Sequence, residues 1–90
     1  MNADHLVKMA NQIGQFYEVY SDHDVALTEL SQHLRRFWDP RMRREFLDHA
    51  SGPGRGALRT IVLEAVLAHE ALLREGTSES LASSPLPGSP

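Results

Sequence analysis

Histidine is the side chain best suited to metal binding and to proton transfer near neutral pH, and this chain has five: His5, His23, His33, His49 and His69. Zinc and related metals are gripped from one helix when two histidines stand four residues apart, and no pair here has that spacing. His23 between Asp22 and Asp24, and His69 beside Glu70, come nearest to a ligand set. Histidines so isolated read first as surface or capping residues. There is no cysteine, which removes disulfides, thiolate metal sites and a thiol nucleophile. The serines gather beyond residue 76, and a nucleophile needs an oriented base in a pocket. Gly52-Pro53-Gly54-Arg55-Gly56 follows no strand and matches no phosphate-binding fingerprint. These residues build no catalytic centre and hold no metal or cofactor, so the chain reads as one that acts by docking.

A second concentration of chemistry is basic and aromatic. Five of the nine Lys and Arg residues, Arg35, Arg36, Arg41, Arg43 and Arg44, fall within ten positions around the only tryptophan. Cations suit a helix C-terminus, as at Arg35 and Arg36, but Arg41, Arg43 and Arg44 crowd the start of the next helix, against its macrodipole. One reading is local neutralisation by Asp39, Glu45 and Asp48, through Arg41/Glu45 and Arg44/Asp48 pairs four residues apart. The other is a protein-binding surface made of Arg35, Arg36, Phe37, Trp38, Asp39, Pro40, Arg41, Met42 and Arg43, since Trp and Arg are enriched at binding hot spots. Trp38 reads as a core residue, as an anchor, or as both. Asp39-Pro40 joins its flanking helices without the glycine-bearing turn of a helix-turn-helix. The net charge of −3 further argues against nucleic acid as the partner.

Four amphipathic segments must position these residues. Over 3–20, Leu6, Met9, Ile13, Phe16, Tyr17 and Tyr20 recur at three- and four-residue steps and predict a helix. Gly14 inside it reads as a point of close helix approach or as simple tolerance. Asp22 predicts a cap, and a second helix over 22–38 carries Val25 or Ala26, Leu27, Leu30, Leu34, Phe37 and Trp38. Asp39-Pro40 ends it and starts a third, over 40–49, burying Met42, Phe46 and Leu47. After the loop 51–56, a fourth helix over 57–75 places Leu58, Ile61, Val62, Ala65, Leu67, Ala68 and Leu72 on its stripe. Leu63, Val66 and Leu73 make it apolar on a further face. Gly76 predicts its stop, and the Ser/Pro-rich 77–90 reads as a disordered tail.

The fold class is therefore all-α, a small bundle of three to four helices in one domain over 1–76, with the tail at 77–90. A core of this size supplies roughly 3–5 kcal/mol and has no covalent staple, so burial against a partner, either a second copy or a different protein, is the expected supplement. No charge-free run long enough to cross a bilayer and no basic leader is present, so the expected location is cytoplasmic, with no membrane partner.

Leu6-Val7-Lys8-Met9-Ala10-Asn11-Gln12-Ile13-Gly14-Gln15-Phe16 and His33-Leu34-Arg35-Arg36-Phe37-Trp38-Asp39-Pro40-Arg41-Met42-Arg43 together resemble the delta subunit of NAD-dependent, molybdenum-containing formate dehydrogenase. Ile61-Val62-Leu63-Glu64-Ala65-Val66 is similar to that family's closing helix. The resemblance runs over about residues 5 to 75, and Phe-Trp-Asp-Pro-Arg-Met is its most specific part. It implies a non-catalytic subunit of a soluble complex that oxidises formate to carbon dioxide and passes the electrons to NAD. It also implies that molybdenum bis(guanine dinucleotide), iron–sulfur clusters and FMN reside in other subunits. The partner it implies is the large molybdenum-bearing subunit, either stabilised permanently or helped during cofactor loading by a transient assembly factor; a generic helical protein-interaction adaptor or a self-associating dimer outside formate metabolism is the broader alternative.

Overall fold

The computed structural model describes residues 2–75, which form four α-helices and one 3-10 turn with no strand among them. The tail expected at 77–90 and the stop expected at Gly76 lie outside the described residues. Helix α1 spans Ala3–Tyr17, α2 His23–Phe37, α3 Pro40–Ala50 and α4 Thr60–Arg74, and the 3-10 turn at Arg55–Ala57 leads into α4.

Short polar side chains set most of the helix starts. Asn2 Oδ1 accepts the backbone N–H groups of Asp4 and His5 at 2.8 and 3.4 Å, opening α1. Asp22 Oδ1 accepts Val25 N–H at 3.1 Å to open α2, and Asp39 Oδ1 accepts Met42 N–H at 2.9 Å to open α3, with Pro40 in its first turn. Each satisfies a donor that the helix itself cannot. Helix α4 starts differently. Arg59 offers no capping oxygen, and Asn11 of α1 clamps the approach, accepting Arg59 N–H at 2.9 Å and donating to the Ala57 carbonyl at 2.9 Å. This clamp explains why α4 begins at Thr60 rather than at the predicted residue 57. Helix α1 also stops earlier than predicted, at Tyr17. A turn closed by Tyr20 N–H on the Tyr17 carbonyl at 3.2 Å then reverses the chain toward the Asp22 cap.

Leu6, Leu30, Leu34, Phe46, Leu47, Val62 and Leu73 fill the centre, with Ala10, Ala26, Ala50 and Ala65 where helices come close. Helix α4 lies against α2, α3 and α1, so the apolar faces expected to need a partner are largely covered within the chain. Its buried stripe is Ile61, Val62, Ala65, Val66 and Leu73, whereas Leu67 and Ala68, expected on it, face outward. His69 interrupts α4 with φ −128° and ψ 30°.

The register of α1 differs from the one its large residues imply. Leu6, Val7, Ala10, Gly14 and Tyr17 are inside, while Phe16 and Tyr20 are outside. At 3.6 residues per turn this rolls the helix by roughly a fifth of a turn toward its small residues. Gly14 is the reason. A Cβ there would lie 2.7 Å from Val62 Cγ2 and 3.2 Å from Ile61 Cγ2, and those β-branched side chains have little rotamer freedom in a helix. The close-approach reading of Gly14 is the one the packing supports. Gly14→Val is accordingly expected to cost about 2–3 kcal/mol of unfolding free energy through overpacking, measured by urea titration. A loss under about 0.5 kcal/mol would mean that α1 and α4 separate without cost.

Candidate docking surface

The basic corner divides on inspection into residues the fold consumes and residues it leaves available. Trp38 is only 5% exposed, ending α2 in extended geometry with its ring edge-on to Phe46 at 5.4 Å. Arg43 is 3% exposed and donates to three backbone carbonyls: Nε to Trp38 at 3.2 Å, and Nη1 to Leu73 at 3.1 Å and to Glu75 at 2.9 Å. It thereby caps the C-terminus of α4, whose last carbonyls have no helical partner. Burial pushes the Arg43 pKa below its usual value, nearby Arg35 adds to this, and Asp39 and Glu75 oppose it. Met42 packs against the core, and Asp39 is the α3 cap. Arg35 Nη2 donates to Glu75 Oε1 at 3.1 Å, tying α2 to the end of α4.

Of the nine residues taken from the sequence as a binding surface, Trp38, Met42 and Arg43 thus face inward, and Arg36, Phe37, Asp39, Pro40 and Arg41 are exposed. The local-neutralisation alternative fares unevenly. Asp48 accepts Arg74 Nη1 at 3.2 Å, and Arg41 makes no ion pair among the described residues. Arg36 likewise has no carboxylate partner there; its guanidinium stands over the Phe37 ring at 5.5 Å from the centroid.

Phe37 belongs to a chain of ring contacts that crosses from α1 to α2. Phe16 meets Tyr17 edge-on at 5.1 Å, Tyr17 meets Tyr20 at 5.3 Å and His33 at 6.2 Å, and His33 meets Phe37 at 4.8 Å. Tyr17 is buried beneath the others, while Phe16 and Phe37 are each 65% exposed. Burial raises the Tyr17 pKa, with Tyr20 and Glu29 adding to the effect. Between the two helices, Tyr17, Glu29, Gln32, His33, Arg36 and Phe37 line a shallow hollow of ≈ 170 Å³. Two phenylalanines, each 65% exposed on neighbouring helices, make this face the candidate interaction surface.

Phe16, Tyr20 and His33 were not among the residues singled out as a binding surface from sequence. The available signal was the pair of small residues, Ala10 and Gly14, on a different face of α1 from Phe16. His23 and His49 tie helices together, with His23 Nε2 2.8 Å from Glu64 Oε1 and His49 Nε2 3.1 Å from Asp4 Oδ1. Among the described residues no three His, Asp or Glu side chains gather as a metal site, and no helix is long and apolar enough to cross a membrane.

A family model described as NADH-dependent formate dehydrogenase delta subunit FdsD matches residues 5–66. No curated protein and no solved structure gives a match. The matched span runs from the first turn of α1 into α4 and includes the whole aromatic surface and the Asp39-Pro40 corner. That span is well over half of the chain, and the chain belongs to the family of NADH-dependent formate dehydrogenase delta subunits.

Proposed function

We propose that this chain is a non-catalytic subunit of a cytoplasmic NAD-dependent formate dehydrogenase, docking on the large molybdenum-bearing subunit and stabilising it or assisting its assembly. The oxidation of formate, the molybdenum bis(guanine dinucleotide), the iron–sulfur clusters, the FMN and the NAD site then belong to the other subunits. The observation that carries this reading is the exposed Phe16–Phe37 surface flanked by Arg36, with Arg41 also unpaired among the described residues. Three of the five clustered arginines, Arg35, Arg43 and Arg44, are already engaged within the chain. Of the two left over, Arg36 adjoins the exposed aromatic area, and that combination is typical of binding hot spots.

Co-purification of the full chain with a tagged large subunit tests the reading. Phe16→Ala/Phe37→Ala and Arg36→Glu/Arg41→Glu are each expected to weaken association at least about 30-fold, corresponding to a loss of about 2 kcal/mol at a hot spot. Both variants should keep the helical circular dichroism of the parent, because the four side chains are exposed. Co-elution of both at wild-type yield would refute docking through this face. Stoichiometry separates the two roles: one copy in fully active purified enzyme marks a permanent subunit, and its absence marks an assembly factor that leaves.

A further inference from the structure

The outer face of α2 changes sign along its length. Its N-terminal half borders a second hollow lined by Asp22, Asp24, Val25, Thr28 and Glu29, and its C-terminal half presents Arg36 and Phe37. Glu29 borders both hollows. Glu29 and Arg36 stand seven residues apart, two turns along one face or roughly 10 Å. Neither forms an ion pair among the described residues, so both are available to a partner. Exposed apolar side chains mark both ends of this face, Val25 at one and Phe37 at the other.

We infer that a second copy of this chain covers this face in the free protein, through an antiparallel, two-fold symmetric pairing of α2 with α2. In a two-fold pair, whatever residue i meets, its partner's residue i meets in turn. An axis between Gln32 and His33 sets Glu29 opposite its partner's Arg36 and repeats that contact on the other side. The acidic start of each α2 then approaches the basic corner of its partner, and the two helix dipoles oppose. A parallel pairing would instead place like charges together. Phe37 and Val25 supply the apolar area that charge alone does not. This inference shares with the preceding reading only the premise that the face is a docking surface. The large subunit then competes with self-pairing, and the free pool is shielded until assembly.

The full chain is followed by sedimentation equilibrium from about 5 to about 200 µM, with a dissociation constant expected on the order of 10 µM. The mass should rise from 10.1 kDa toward twice that value. Glu29→Arg alone and Arg36→Glu alone should each raise the dissociation constant at least about tenfold, since each sets two like-charge contacts across the axis. An equimolar mixture of these two variants should associate again, because every cross-axis contact is then attractive. The double variant Glu29→Arg/Arg36→Glu should pair with itself for the same reason. Circular dichroism of each variant checks that α2 remains helical. A wild-type mass of one chain throughout, or no recovery in the mixture, overturns the pairing. Either result leaves docking on the large subunit to be judged by its own co-purification.

Discussion

Arg43→Met is expected to lower the unfolding free energy of the isolated chain by about 3 kcal/mol, although it removes no interhelical ion pair. The methionine keeps the apolar stem and loses the fork of donors that holds the Trp38, Leu73 and Glu75 carbonyls. A hydrogen bond to a charged donor contributes roughly 1.5–3 kcal/mol, and an acceptor left buried and unpaired costs about 1–3. The three effects do not add in full, because water reaches part of the α4 terminus once it frays. The loss still matches most of what a core of this size provides, roughly 3–5 kcal/mol. Arg43→Lys should recover only part of it, since one ammonium cannot reproduce the planar fork. Urea unfolding followed by circular dichroism measures the change. A methionine variant within about 0.5 kcal/mol of the parent would show that α4 needs no cap from α3.

The second large effect is expected from Phe46→Ala, at about 4 kcal/mol. Phe46, on α3, is essentially fully buried in the core and makes the edge-on contact with Trp38. Truncation removes the ring's transfer energy and leaves a cavity that rigid neighbours close only partly. Trp38 is the only tryptophan, so its fluorescence should red-shift and lose cooperativity as the variant opens. Phe46→Leu should cost much less. Because a partner that binds only the folded state stabilises it by mass action, the large subunit proposed as that partner should restore helicity to the alanine variant at concentrations well above the dissociation constant. An unchanged unfolding midpoint would contradict the central place given to this ring.

These two expectations connect stability to the proposed role. The chain's arginines are divided between those engaged within the fold and those left exposed on its surface, and its apolar residues between a small core and an exposed aromatic surface. Reversing Arg36 should leave the fold alone, and removing Arg43 should damage it, although both sit in the same run of basic residues. The difference arises from where the Asp39-Pro40 corner aims them. Arg43 lies on the inner face of α3 beneath the end of α4, and Arg36 lies on the outer face of α2.

Local chemistry alone made the all-helical class readable, together with the number of helices and the sharp corner after Trp38. An Asp side chain caps within its own turn, and a proline ring constrains its immediate neighbours, so Asp22 and Asp39-Pro40 need no distant partner to act. The start of α4 was not readable in this way, because its clamp is Asn11, far away in sequence. The face of α1 was misjudged for a related reason. Large residues dominate a periodicity reading, yet Gly14 and Ala10 let α1 come close to α4, and the helix rolls until Phe16 and Tyr20 meet solvent. Whether an aromatic side chain becomes core or contact surface depends on the shape of the neighbouring helix. Shape complementarity between segments distant in sequence exists only once the helices have packed.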